Sequence, residues 1–253
     1  MTAFRNTLKL APKMFLAAPL ALALAACGDS AAEGELEGDV IAPISAPDGS
    51  NWGDTVTVSD SDGYVLGNPD APLKLVEYAS HTCGGCAAFA AQAKPSIKEY
   101  VATGVVSFEQ RNLVRDPIDL TVATLVRCGA DENMQVLSDE AWGFLPQIFE
   151  NVRNNQAAYE AAGAAPIETR FVQIAQSAGL IDFFAARGLS ADQQRACLSD
   201  TDKIQGIADR SQAQGNELDI QATPTFILND RKLDTVGWED LEATLQRAGA
   251  RQE

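Results

Sequence analysis

Two cysteines separated by two glycines are the residues of this chain whose types and spacing point most directly to chemistry. The tetrapeptide Cys83-Gly84-Gly85-Cys86 follows an apolar run at residues 73–78 and precedes an alanine-rich stretch. The run is typical of a buried strand and the stretch of a helix, so Cys83 is expected at the first helical turn. Unpaired N–H groups and the helix dipole favour a thiolate there, and Cys86 can close a small disulfide one turn later. The motif predicts a dithiol/disulfide site.

A zinc site is the competing use of this cysteine spacing. It needs a second pair of ligands, but Cys128 and Cys197 are far apart in the sequence, and His81 is the only histidine. We therefore expect no metal ion, and dithiol chemistry requires no organic cofactor.

Glu77 and His81 lie close to the cysteines, and each has two interpretations. Glu77 shares a strand face with Leu75, so it is expected to point into the interior. A carboxyl group near a buried thiol could have a raised pKa and exchange a proton with Cys86, whereas the alternative is an ordinary exposed glutamate. A cationic His81 could stabilise the Cys83 thiolate and tune its redox chemistry, but a neutral His81 could simply line a loop.

Thr223 and Pro224 open a predicted strand at residues 225–228. A proline inside a sheet removes a hydrogen-bond donor and therefore sits at a strand start or a bulge. In the cis form it could expose backbone groups as a docking edge for an extended peptide, whereas a trans proline would only begin the strand. The sequence leaves the two isomers open.

The elements that must position these residues follow the order βαβ, then helices, then ββα. Residues 117–217 show helical spacing and no convincing strand, whereas strands are predicted on both sides of this block. One of the helices predicted in this block covers residues 138–151. The chain is therefore predicted to have an α/β fold with a helical insertion, and packed structure is expected to begin near residues 51–55.

Cys128 and Cys197 both fall within the helical block. A bond between them would close a loop of about 70 residues, which is worth roughly 4 kcal/mol in loop-closure entropy. An even number of cysteines after Cys27 in an exported chain favours disulfides, and the alternative is two buried free thiols.

The first 26 residues have the pattern of a signal peptide. A basic leader is followed by an apolar stretch at residues 14–26, which is short for a bilayer span but typical of an export signal. It ends in Leu24-Ala25-Ala26-Cys27, which resembles the lipobox of bacterial lipoproteins. The resemblance implies that residues 1–26 are removed and that Cys27 is lipidated. Ordinary secretory cleavage, with Cys27 left as a free thiol, is the alternative.

Acidic and small residues dominate the segment that follows the signal peptide. Residues 27–54 are rich in glycine and acidic side chains, and they are predicted to form a flexible tether. The whole chain has a formal net charge of −16. Such a surface repels nucleic acid, so no nucleic-acid partner is expected.

Four segments together resemble the DsbA-type branch of the thioredoxin superfamily. They are Gly-Asn-Pro-Asp-Ala-Pro at residues 67–72, Val-Glu-Tyr at 76–78, the two cysteines, and Thr-Pro-Thr-Phe at 223–226. The resemblance implies a thioredoxin-like fold in two parts, residues 55–116 and 218–253, with an inserted helical domain at residues 117–217.

The resemblance also implies roles for single residues. Cys83 would attack, Cys86 would resolve the intermediate, Glu77 would be buried, and Pro224 would be cis beside the cysteines. Some relatives from similar bacteria carry a disulfide in the helical domain, which supports a bond between Cys128 and Cys197.

The residues between the cysteines depart from this family. Strongly oxidising members commonly have Pro-His there, whereas Gly84 and Gly85 offer no side chain. We therefore expect a less depressed Cys83 pKa and a milder oxidant. Thr223 before the proline also occurs in isomerases and reductases of the superfamily.

The resulting hypothesis is an envelope thiol:disulfide oxidoreductase that forms disulfides in exported, cysteine-containing proteins with the help of an unidentified redox partner. It would lie on the periplasmic side, held to the membrane by the N-terminal lipid, and Gly28 after Cys27 favours the outer membrane. One alternative is a reductase or isomerase with the same residues. Another is a non-catalytic lipoprotein that binds a partner and in which the bond between Cys83 and Cys86 is only structural.

Overall fold

Six strands form one mixed sheet at the centre of the fold, in a computed structural model that describes residues 36–252. The strands are β1 Val56–Val58, β2 Tyr64–Leu66, β3 Leu73–Ala79, β4 Val106–Asn112, β5 Thr225–Leu228 and β6 Arg231–Lys232. Their order across the sheet is β1-β2-β4-β3-β5-β6. The β3–β4 pair is parallel and the other pairs are antiparallel.

Ten α-helices accompany these strands within residues 36–252. They are α1 Gly84–Ala102, α2 Pro117–Val126, α3 Met134–Gly143, α4 Leu145–Asn154, α5 Gln156–Gly163, α6 Ile167–Ser177, α7 Leu180–Ala185, α8 Ala191–Ser199, α9 Thr201–Glu217 and α10 Trp238–Arg247. Helix α1 connects the parallel strands β3 and β4, helices α2 to α9 lie between β4 and β5, and α10 follows β6. None of the helices within residues 36–252 combines the length and apolar character needed to span a membrane.

Strand β3 lies in the middle of the sheet, and α1 covers one of its faces. Leu75 of β3, Ile97 of α1 and Phe108 of β4 are buried in one core, to which Leu245 of α10 also contributes. Burying such side chains is worth about 1.5–3 kcal/mol each. This packing directs the C-terminal end of β3 and the first turn of α1 to the same point, where the two cysteines lie.

Helices α2 to α8 and the start of α9 build a second core that is dominated by aliphatic and aromatic side chains. Val122, Ile148, Phe184 and Leu198 are all buried in it. The fold class expected from the sequence is therefore confirmed: an α/β sheet with a helical insertion between two of its strands. The limits 55–116, 117–217 and 218–253 for the separate parts stay predictions.

Packed structure begins earlier than the sequence indicated. The N–H groups of Gly38, Ile41 and Ile44 donate to the carbonyl oxygens of Arg247, Gly249 and Thr103 at 2.9, 3.0 and 2.8 Å. Leu36 and Ile41 also pack against the sheet core. The flexible tether predicted for residues 27–54 is thus wrong from Leu36 onward, because a few apolar side chains and backbone hydrogen bonds attach this acidic segment to α10 and the turn after α1.

One predicted helix is divided and the last strand is short, both for local reasons. The single helix predicted over residues 138–151 is divided into α3 and α4. Pro146 lies at the start of α4, where its missing N–H group cannot continue the preceding helix. Strand β6 covers only Arg231–Lys232, since its pairing with β5 ends after two residue pairs.

Candidate active site

The two cysteines of the Cys-x-x-Cys motif occupy different positions at the start of α1. Cys83 is the N-cap residue, and its Sγ accepts the N–H of Cys86 at 3.3 Å. Cys83 is 9% exposed, whereas Cys86 is 0% exposed. A partner molecule can therefore reach only the first sulfur directly.

The pKa values of the two thiols move in opposite directions. Burial acts to raise the pKa of Cys83, but hydrogen bonds from Thr223, from Cys86 and from the Gly85 backbone outweigh it and lower that pKa below its ordinary value. Burial, and then the nearby charge of Glu77, raise the pKa of Cys86 far above the ordinary value. At neutral pH the arrangement favours a nucleophilic thiolate at Cys83 and a protonated thiol at Cys86.

Thr223 and Pro224 lie directly against the cysteines. The peptide bond between them is cis, and the carbonyl oxygen of Thr223 lies 3.2 Å from Cys83 Sγ. A Cβ atom placed on Gly85 would meet Pro224 Cδ at 3.3 Å, so glycine leaves room for the close approach of this loop. Gly84, in contrast, faces open space.

Arg115 is a neighbour of this loop that the sequence did not single out. Its Nη1 donates a hydrogen bond of 3.2 Å to Thr223 Oγ1. The two residues are 108 positions apart, and no local pattern links them. Only the packing of the segment after β4 against the segment before β5 brings them together.

Glu77 lies in β3 beneath the cysteines and is 0% exposed. In register it stands opposite Gln110 of β4 and Phe226 of β5. Neither carboxyl oxygen has a hydrogen-bond partner in the described part of the chain. Burial raises the pKa of Glu77 to about 7, with Lys94 opposing the shift and Asp139 adding to it. The interpretation of Glu77 as an exposed strand residue is therefore wrong.

His81 is also buried. Its Nε2 lies 2.7 Å from Ser138 Oγ, and its Nδ1 lies 3.5 Å from Asp119 Oδ1. The ring stacks on Trp142 with 5.3 Å between the ring centroids. His81 thus attaches the loop before Cys83 to helices α2 and α3, and its role in redox tuning stays a prediction.

Three further polar residues near Glu77 are not evident from the sequence: Lys94, Gln110 and Asp139. Lys94 lies in α1 two turns after Cys86, on the face that carries Ala90 and Ile97. A lysine on the buried face of an alanine-rich helix is the one signal that could have drawn attention to it. Its partners come from α3, and no sequence pattern identifies them.

The other cysteines lie in the helical insertion. Cys128, just after α2, and Cys197 of α8 are joined by a disulfide with 6.0 Å between the Cα atoms. Cys83 and Cys86 are free thiols in this structure. Cys27, the predicted lipidation site, lies outside the described residues, as does the predicted signal peptide at residues 1–26.

Comparison with known proteins relates this geometry to one family. A family model described as thioredoxin matches residues 59–247. A protein of Rickettsia bellii, provisionally named a protein-disulfide oxidoreductase, is 22% identical over 190 residues, which are 75% of this chain. The chain spans 65% of the length of that relative, slightly less than two thirds.

Two solved structures are similar in their fold. The protein-disulfide isomerase of Novosphingobium aromaticivorans is 30% identical with a TM-score of 0.68, and the match covers 72% of this chain and 94% of that one. Alpha-DsbA1 of Wolbachia pipientis is 21% identical with a TM-score of 0.60, and the match covers 74% of this chain and 91% of that one. The second likeness concerns the fold alone.

Proposed function

Because the chain belongs to the thioredoxin family, we propose that it is a DsbA-like protein thiol:disulfide oxidoreductase that acts through Cys83 and Cys86. One observation carries the proposal. Cys83 is the partly exposed N-cap of α1 and its Sγ accepts the N–H of Cys86, which favours a lowered pKa, whereas Cys86 is fully buried one turn later, which raises its pKa. That asymmetry is what a site needs to form and then resolve a mixed disulfide.

In the oxidising direction the cycle begins with a disulfide between Cys83 and Cys86. A client thiolate attacks Cys83 Sγ, the bond to Cys86 breaks, and the Cys86 sulfur takes up a proton, for which protonated Glu77 is the proposed donor. A second client thiolate then attacks the client sulfur of the mixed disulfide and displaces Cys83 as a thiolate. The client loses two electrons and gains a disulfide, and the enzyme is left as the dithiol.

In the reducing direction the same residues act in reverse order. The Cys83 thiolate attacks a client disulfide and releases one client thiolate, which solvent protonates. Cys86 then gives its proton to ionised Glu77 and attacks Cys83 Sγ, which releases the second client thiolate. Glu77 has the proton affinity for both roles near neutral pH, because burial raises its pKa to about 7.

The segment before β5 is the proposed docking edge for the client. Thr223 places its carbonyl oxygen 3.2 Å from the reactive sulfur. An extended client chain that runs beside this segment would present its own cysteine to Cys83 while its backbone forms hydrogen bonds. Arg115, held against Thr223, lies at the rim of the same edge.

The clients we propose are exported proteins with cysteines, with a separate redox partner that restores the active form. The predicted signal peptide at residues 1–26 supports a location on the periplasmic side of the envelope, and the lipobox supports attachment through lipid at Cys27. The outer membrane is the proposed site because Gly28 follows that cysteine. The acidic charge of the chain supports the proposal that nucleic acid is not a partner.

The equilibrium reduction potential of the Cys83–Cys86 pair tests the proposal most directly. It is measured in glutathione buffers with the bond between Cys128 and Cys197 intact, and Cys83→Ala and Cys86→Ala serve as controls. A potential of roughly −120 to −180 mV identifies a disulfide donor, and one near about −270 mV identifies a reductase. Because Gly84 and Gly85 supply no side chain, we expect a potential below that of the strongest oxidants. A pair that does not exchange at all would contradict the proposal and favour a non-catalytic binding lipoprotein.

An isomerase is the second candidate, and two observations favour it. Thr223 precedes the proline, and the similar Novosphingobium aromaticivorans structure is that of a protein-disulfide isomerase. Refolding of a substrate with scrambled disulfides separates the two activities. An isomerase restores the native pairing without a net oxidant, whereas a donor only adds disulfides to a reduced substrate.

A further inference from the structure

A group of polar side chains lies between the sheet and helices α1 and α3, on the sheet face that carries Glu77. Glu77 stands opposite Gln110 in the register of β3 and β4, and Phe108 lies two residues before Gln110. Residues two apart on a strand share a face of the sheet. The Nζ atom of Lys94 lies 4.2 Å from the centre of the Phe108 ring. The Lys94 ammonium group is therefore on the same face as the buried carboxyl group.

Lys94 is held in this position by residues of α3. Its Nζ lies 3.0 Å from Asp139 Oδ1 and donates a hydrogen bond of 3.1 Å to Gln135 Oε1. Lys94 is only 5% exposed. Burying an ammonium group costs several kcal/mol unless partners compensate, so the ion pair with Asp139 is what allows a lysine at this position.

A groove between α1 and α3 connects this ion pair with solvent. Its volume is about 410 Å³, and its lining includes Ala87, Ala90, Lys94, Lys98 and Asp139. Alanine side chains leave the groove open, and one of them is Ala87, the residue after Cys86. The side chain of Asp139 is 24% exposed. Protons can therefore reach the ion pair from water.

Glu77 itself has no comparable route to solvent. It is fully buried, and its carboxyl oxygens have no hydrogen-bond partner in the part of the chain that the structure describes. The charged and titratable groups that act on it are Lys94 and Cys86 from α1 and Asp139 from α3. The residues beside it in β4 and β5, Gln110 and Phe226, carry no charge. The Lys94–Asp139 pair thus acts on Glu77 by its charges and also lines the groove.

We propose that the Lys94–Asp139 ion pair, which lines the groove between α1 and α3, sets the proton affinity of Glu77. Lys94 favours the ionised form, which accepts the proton of Cys86, and Asp139 favours the protonated form, which returns it. Both act through Glu77 and are therefore positioning residues. This inference deepens the proposed function, and the role of the ion pair in disulfide exchange rests on that function.

The first test measures the protonation of Glu77 directly and requires no activity. The carboxyl carbon of Glu77 is followed by NMR against pH in protein that carries Cys83→Ala and Cys86→Ala, and Glu77→Gln identifies the signal. Lys94→Met is expected to raise the midpoint by about one unit, since an opposite charge is lost. Asp139→Asn is expected to lower it, because a like charge is lost. Lys98→Met, in the same groove but exposed, is the matched control and is expected to leave the midpoint unchanged.

The second test measures the resolving step in the enzyme with both cysteines. A shift of about one unit reduces the ionised fraction of Glu77 at pH 7 by about fivefold, so Lys94→Met is expected to slow single-turnover release of the second client thiol by that factor. The rate is expected to recover at higher pH. Lys94→Arg keeps the charge and is expected to keep the wild-type pH profile, whereas a packing defect would not recover with pH.

The outcomes separate this inference from the proposed function. An unchanged Glu77 midpoint in Lys94→Met, or an equal shift in Lys98→Met, would overturn the role of the ion pair even if exchange is normal. If Lys94→Met does not fold, an Asp139→Asn midpoint that fails to fall overturns it instead. If the Glu77 midpoints shift as expected but the protein does not exchange disulfides, the role of the ion pair is supported and the proposed enzymatic function is contradicted.

Discussion

Glu77 and Gln110 stand opposite each other on the parallel strands β3 and β4, and both are buried. The carboxyl oxygens of Glu77 and the amide oxygen Oε1 of Gln110 lack hydrogen-bond partners within residues 36–252. No hydrogen bond therefore compensates for burying the ionised carboxylate, and burial raises the pKa of Glu77.

Glu77→Gln is expected to stabilise the protein above neutral pH. The pKa of Glu77 is raised from 4.5 to about 7, so the folded protein holds a proton that the unfolded chain releases between those values. Stability contributed by the protonated group is present below pH 4.5 and is lost as the pH rises to about 7. The variant has no such loss. Its free energy of unfolding, measured with urea at about pH 8, should therefore be about 3 kcal/mol above that of the wild type.

The pH dependence is the control for this prediction. At about pH 4 the two proteins should have similar free energies of unfolding, because Glu77 is then protonated in both states. Glu99→Gln, an exposed substitution on α1, should change neither value. An equal stabilisation at both pH values would show that packing, and not ionisation, is responsible.

Thr223→Val is expected to raise the pKa of Cys83. The side chain of Thr223 is the strongest of the groups that lower this pKa, although burial of the thiol opposes them. Valine keeps the shape but removes the hydroxyl, so the pKa should rise. The pH profile of alkylation of the reduced protein measures it, since Cys86 is buried. Thr225→Val, whose hydroxyl donates to Ala222 instead, should leave the profile unchanged.

Removing the disulfide of the helical insertion is expected to reduce stability without abolishing exchange. The bond joins Cys128 and Cys197 across 69 positions, for which loop-closure entropy predicts a loss of about 4 kcal/mol in the double alanine variant. Urea unfolding measures the loss, and the reduction potential of Cys83–Cys86 should stay within error of the wild type. A large change in that potential would instead show that the disulfide of the helical insertion influences the redox chemistry of Cys83 and Cys86.

Ser138→Ala is expected to weaken the attachment of the active-site loop to α3. Ser138 Oγ lies 2.7 Å from His81 Nε2 and accepts a hydrogen bond of 2.6 Å from Gln110 Nε2. Two buried groups lose their partner in the variant, which should cost about 3 kcal/mol of unfolding free energy. Ser199→Ala, at an exposed position in α8, is the control. A loss below about 1 kcal/mol would mean that water replaces the hydroxyl.

Local patterns in the sequence were enough for the class of fold and for the position of the reactive pair. An apolar strand followed by Cys83, Cys86 and an alanine-rich helix predicts where the helix begins, because strand and helix periodicity are properties of neighbouring residues. The same alternation predicts that Glu77 faces inward. The long segment between β4 and β5 has helical spacing throughout, so the insertion was evident before its packing was known.

Tertiary structure decided what surrounds those residues. Periodicity places Lys94 on the buried face of α1, but only the docking of α3 brings Asp139 to it. The contact of His81 with Ser138 and that of Arg115 with Thr223 also join residues that are distant in the sequence. The acidic composition around Gly38 and Ile41 likewise did not predict the hydrogen bonds that attach these residues near α10. These contacts depend on how separate elements pack against one another. Patterns among neighbouring residues do not predict which distant side chains meet when the elements close-pack into a core.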